Sequence, residues 1–328
     1  MSRIILAALA LTLAATLPSV QAQAQNGTLT RSFVSSAGVD SNPCTIAQPC
    51  ATFAHAYTMI GANGIVAALD PGKYGSLTIT GPVTINGNGW SAITGPASAT
   101  AITINSVSGV VRLTGLEIDG AGAANTGIAF TGGGTLDVEN SVIGNFSNDG
   151  IDFAPGNNGQ LYIADTLIGG NAIGVQISAS SAQTSGTLDH VRFEKNATNG
   201  ISAESSASAN MSISISNSVM AGNGLNANGC GLSITVLSGG SGTVTVTDDV
   251  IVNNGNGICE TSTNLLFIRN STMTNSQFSG LTLNGGQTEV TRSTISGISG
   301  TGTLDSYGDN NLLTGNGPSP VTATFPLQ

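Results

Sequence analysis

Charge is what this sequence has least of: 8 % of its 328 residues are Asp, Glu, Lys or Arg, where a soluble domain averages about 25 %. Disordered chains combine high charge with low hydrophobicity, so the 40 % apolar content argues against that class. Basic residues are scarcer still, 8 Lys+Arg against 18 Asp+Glu, for a net charge of −10. A chain so balanced repels phosphate, and no nucleic-acid partner is expected. Aromatics stop at 4 %, with a single tryptophan, which leaves few large anchors for a conventional core. The 45 glycines keep no three-residue period and there are 10 prolines, so collagen is excluded. Beyond the first two dozen residues no run approaches the ~20 apolar residues of a spanning helix. No transmembrane anchor is therefore expected in the mature chain.

What is present begins with an address. Arg3, the apolar run Ile4 to Leu17 and the small-x-small site Val20-Gln21-Ala22 (or Ala22-Gln23-Ala24) predict a signal peptide over residues 1–24. The destination is periplasmic or extracellular. In that oxidising setting Cys44 and Cys50 are expected to form a local disulfide, with a zinc pair as the rival reading. Cys230 and Cys259 stand about one repeat apart, and whether they are bonded is left open by the spacing.

The repeat is the strongest signal. Glycine followed by an aliphatic residue recurs at Gly127-Ile128, Gly150-Ile151, Gly174-Val175, Gly200-Ile201, Gly231-Leu232, Gly257-Ile258 and Gly280-Leu281. A second apolar column holds Ile118, Ile143, Ile168, Phe193, Met220, Ile251, Met273 and Ile295. Two or three residues after it come Asn145, Asn171, Asn196, Asn223, Asn254 and Asn275. Between the columns lie alternating runs such as Leu161-Tyr162-Ile163, Ile213-Ser214-Ile215 and Val244-Thr245-Val246, which place one side chain inward and the next outward on a strand.

Units this short cannot form a propeller blade, and stacked coils are the remaining way to bury their apolar faces. The expected fold is all-β, a single-stranded parallel β-helix whose aligned asparagines exchange amide hydrogen bonds up the stack. The run Val110 to Ile118, followed by units such as Val138-Glu139-Asn140-Ser141-Val142-Ile143-Gly144-Asn145, resembles the repeats of the pectin-lyase-like superfamily. That resemblance implies a right-handed coil. Boundaries are expected at 25–64 for an N-terminal segment with a capping helix, 65–305 for the β-helix and 306–328 for a C-terminal cover or tail. Phe53, Tyr57 and Ile60 form the apolar stripe of the cap, and His55 belongs to it.

Catalytic motifs of the resembling families are incomplete. Of the polygalacturonase set only the Asp pair occurs, Asp248-Asp249, in columns shared with Asn217-Ser218 and Asn270-Ser271, where a structural role in a turn is expected. Leu188-Asp189-His190 matches only the Asp-His part of a pectate-lyase stretch. No cofactor is implied: calcium could sit at Asp149, Asp152 or Asp165, but no calcium motif supports it. One concentration of charge remains, Asp189, His190, Arg192, Glu194 and Lys195. It reads either as a solvated edge with mutual ion pairs or as a polar patch for carbohydrate.

The leading reading is an exported, non-catalytic protein that presents an elongated surface to polysaccharide or cell-envelope material. Two alternatives stand beside it: a polysaccharide lyase, hydrolase or epimerase of the pectin-lyase-like type, and a self-associating structural or adhesive protein. All three rest on fold-level analogy.

Overall fold

The computed structural model describes residues 27–105, 108–180, 183–206, 208–261, 265–314 and 321–325; the expected signal peptide lies outside them. The chain coils through three parallel ladders. The first takes in Gly134–Glu139, Gly159–Ala164, Gln183–Asp189, Asn210–Ser216 and Ser241–Thr247. The second is made of three-residue strands such as Val142–Gly144, Leu167–Gly169 and Arg192–Glu194. The third contains Thr126–Phe130, Asp149–Phe153, Ile173–Ala179, Asn199–Ser205 and Cys230–Val236.

The columns of the sequence become these ladders. Ile143 pairs with Ile118 on one side and Ile168 on the other, and Ile168 pairs with Phe193. All four are at most 1 % exposed. Stacked aliphatic side chains fill the bore, each burial worth about 1.5–3 kcal/mol. Phe130 and Phe153, on neighbouring rungs of the third ladder, stack with ring centroids 4.8 Å apart, the strand spacing itself.

The asparagine column divides in two. Asn171, Asn196, Asn223 and Asn254 are buried and joined side chain to side chain at 3.0–3.1 Å. Asn145 and Asn275, which precede that position by one residue, instead take the left-handed turn conformation at φ 63° and 56°. The residue after Asn145 is Phe146, whose backbone N–H donates to Asn171 Oδ1 and ends the amide chain. The recurrent glycine follows from this ladder. A Cβ at Gly174 would come 2.4 Å from the Gly200 carbonyl oxygen and 3.0 Å from Asn196 Nδ2, so the amides and the glycines need each other.

The ladders run past the expected 65–305 limits. Leu29–Val34 already pairs with Ile60–Ala68, and at the other end Asn311–Thr314 and Val321–Phe325 pair with the preceding rungs. The cap helix is Phe53–Thr58, shorter than the apolar stripe suggests, and Ile60 opens the next strand. Thr52 caps it through its hydroxyl, and Phe53 and Tyr57 are buried. Both disulfides are formed. Cys44–Cys50 closes a loop lying along the outer edge of Leu29–Val34, where Phe33 N donates to Cys44 O and Ser35 N to Cys50 O. Cys230–Cys259 ties two successive rungs of the third ladder.

Candidate functional site

Strand alternation sends every second residue of the first ladder outward, and the register stacks those residues into columns. Gln160, Ser185, Ser212 and Thr243 form one such column. Beside it, Asn158, Gln183, Asn210 and Ser241 line the start of the same rungs. Together they wall a groove of about 540 Å³ that also reaches Thr135. Its polar lining is amide and hydroxyl throughout, with no ionisable side chain. The groove crosses five rungs, about 19 Å at a strand spacing near 4.8 Å. Part of the lining is held in place: Asn158 Oδ1 accepts from Gln183 N at 3.1 Å, and Gln160 Oε1 accepts from Thr135 Oγ1 at 3.3 Å. Amides and hydroxyls at fixed spacing both donate and accept, the complement of a polymer rich in hydroxyl groups.

The five charged residues singled out in the sequence occupy one rung but two corners and a face. Phe193 points inward, so Arg192 and Glu194 point out, where they pair with each other. His190 is in the turn between the first and second ladders at φ 56°. Its Nδ1 lies 2.9 Å from Asp189 Oδ2. Asp189 also accepts from Asn217 Nδ2 and Ser216 Oγ, each at 2.8 Å. Those hydrogen bonds, from Asn217 first, then His190 and Ser216, hold the Asp189 carboxyl down at about 2. The bond to Asp189 in turn raises the His190 pKa. None of the five reaches the amide groove; Glu194 and Lys195 line a separate depression of about 330 Å³ on the second face.

Four carboxylates carry raised pKa values. Asp249 is 1 % exposed, directly after Asp248 in a turn column that includes Ser218 and Ser271. Its Oδ1 accepts from Ser218 N at 2.7 Å, while Ser271 Oγ accepts from Asp249 N at 3.2 Å. It thus stands in for a hydroxyl within a second ladder of side-chain to backbone bonds, and burial pushes it up to about 7. Glu260 lies in an inward column between Ile234 and Leu283, accepts from Asn284 N and Gly286 N, and is raised by burial. Asp149, on the third face, is pushed up to about 6 by burial and by Asp152 on the same strand. Asp152 is itself raised by burial.

Among the described residues, Cys44, Cys50 and His55 bring potential metal-ligand atoms within 4.8 Å of one another. Both sulfurs are consumed by the disulfide, which removes the thiolates that zinc requires.

The groove was missed in the sequence because its residues belong to no motif. The alternating Ser and Thr were visible, but aligning them needs the register, and successive groove residues lie between 25 and 31 positions apart.

Comparison with known proteins gives consistent results. The model of a family described as right handed beta helix region matches residues 100–270. No curated protein matches in sequence. Among solved structures, a pectate lyase, Pel9A, superimposes with a TM-score of 0.59 at 14 % identity, over 91 % of this chain and 80 % of that one. The A-module of a mannuronan C-5 epimerase, AlgE4 of Azotobacter vinelandii, gives 0.54 at 15 % identity, over 80 % of this chain and 91 % of that one.

Proposed function

The chain belongs to the right-handed beta helix family, and from that premise we propose that it is an exported, non-catalytic protein that binds polysaccharide along its first face. The observation that carries this reading is the uncharged amide and hydroxyl groove crossing five rungs. A regular row of donors and acceptors suits a ligand that is itself periodic and hydroxylated. The two similar structures are named for enzymes of pectate and mannuronan, which supports polysaccharide as the ligand class. Two disulfides support an oxidising, periplasmic or extracellular location. The five-residue patch has no part in this reading: its carboxylates are engaged by His190 and Arg192, and none of its residues lines the groove.

The test is affinity electrophoresis of the purified protein on neutral and uronate polysaccharides, with and without calcium, beside assays for reducing ends and unsaturated products. Retardation by a neutral polymer without product formation is expected. Release of products would transfer the protein to the enzyme reading.

That second reading has one observation in its favour. Asp149 and Asp152 lie three residues apart on one strand of the third ladder, half-buried, with raised pKa values, and the charge of Asp152 helps raise Asp149. Paired carboxylates of that kind suit acid–base work on a glycan.

A further inference from the structure

Tyr162 and Phe267 stand in one outward column of the first ladder. The register runs Tyr162 to Thr187 to Ser214 to Thr245 to Phe267 without a break. Four rung steps separate the rings by about 19 Å, and every side chain between them is a short hydroxyl. The groove column runs parallel to it, two residues earlier on each strand, from Gln160 on the rung of Tyr162 to Thr243 on that of Thr245, and Leu265 continues it past the groove on the rung of Phe267. Tyr162 is 43 % exposed and Phe267 half-buried. In a chain with 4 % aromatics, one ring of this column thus stands on the second rung of the groove and the other one rung past its last, with no ring on the rungs between.

The ring at the far end is also positioned. The Arg269 guanidinium lies over Phe267, 5.9 Å from its centroid. Arg269 is two residues later on the strand, on the side away from the groove column, so this cation–π contact steadies the ring from that side.

Sugar rings have an apolar C–H face and a hydroxyl rim. Aromatic faces take the first, and amides and hydroxyls the second. We propose that Tyr162 and Phe267 are stacking platforms for an uncharged, extended glycan, so that the site selects a segment long enough to touch both. This inference rests on the groove reading and gives it a substrate class, a neutral linear polysaccharide, and a length requirement.

The experiment is calorimetric titration of the full protein with length series of neutral oligomers derived from glucan, xylan and mannan. Wild type is expected to gain affinity with length until the ligand spans both rings and then to level off. Tyr162→Ala and Phe267→Ala should each weaken long oligomers by about tenfold, roughly 1.4 kcal/mol, and leave short ones that touch neither ring unchanged. Tyr162→Phe should bind as wild type, and Phe267→Leu, which keeps the packing, should behave as Phe267→Ala. Long-oligomer binding that is unchanged in Tyr162→Ala or in Phe267→Leu overturns the platform assignment while the groove reading stands. Failure of the wild type to bind any neutral series overturns both.

Discussion

Asn223 holds three rungs together through Asn254. Its Nδ2 donates to Asn254 Oδ1 at 3.0 Å and to Phe193 O at 2.9 Å, while its own Oδ1 accepts from both Asn196 N and Asn196 Nδ2 at 3.0 Å. Truncating it leaves buried donors without acceptors, each costing about 1–3 kcal/mol. Asn223→Ala should therefore lower stability by roughly 3 kcal/mol in chemical denaturation. Asn145→Ala, at an exposed left-handed turn, should cost only about 1–2 kcal/mol. Equal losses would mean that the buried amides are not a ladder.

Stability should fall as pH rises from about 4 to about 7. Asp249 titrates near 7 in the folded chain and at the ordinary carboxylate value when unfolded, so the folded state holds an extra proton across that window. Asp149 and Glu260 act with the same sign. Asp70 and Asp189, both held at about 2, act oppositely: their contribution is complete above the unfolded value and is lost as pH falls toward 2. Asp249→Ser restores the hydroxyl found at Ser218 and Ser271. It should stabilise at pH 8, by up to about 4 kcal/mol, and give no gain at pH 3. Denaturation midpoints of the two proteins across pH decide it.

The two disulfides should behave differently. Cys230–Cys259 closes the longer loop, with a separation of 29 residues against 6. Its removal should cost about 3–4 kcal/mol, against about 2 for Cys44–Cys50 on the chain-entropy account. Replacing Cys44 and Cys50 by serine, however, frees the edge of Leu29–Val34 that their loop covers. Light scattering should then rise with concentration for this variant alone. A monomeric Cys44→Ser/Cys50→Ser protein would count against an edge-covering role.

On the binding account, Asp149→Asn with Asp152→Asn leaves glycan affinity unchanged. If the protein forms products from a polysaccharide instead, the same double change should reduce turnover by about 100-fold or more. Product assays on both proteins distinguish the cases.

Much of the fold was legible in the sequence because a β-helix writes its contacts as columns. Ile143, Ile168 and Phe193 were aligned by spacing alone, and they pair in that order. The single-residue slip between Asn145 and Asn171 was not legible, since both residues suit a turn and only backbone conformation separates them. The charged patch was conspicuous for its composition, yet Asp189 pairs with His190 and Arg192 with Glu194 away from the groove. The groove was inconspicuous for the opposite reason: serine, threonine, asparagine and glutamine are common everywhere in this chain. Their meaning comes from register, which variable turns between Gln160 and Thr243 conceal.

The most direct test of the account is a calorimetric comparison of wild type with Gln183→Ala/Asn210→Ala on a neutral polysaccharide at low and high salt. The groove account predicts binding by wild type that is insensitive to salt, and a loss of about tenfold, the worth of two hydrogen bonds, in the double variant. Binding confined to uronate polymers, or unaltered by the loss of both amides, would contradict it.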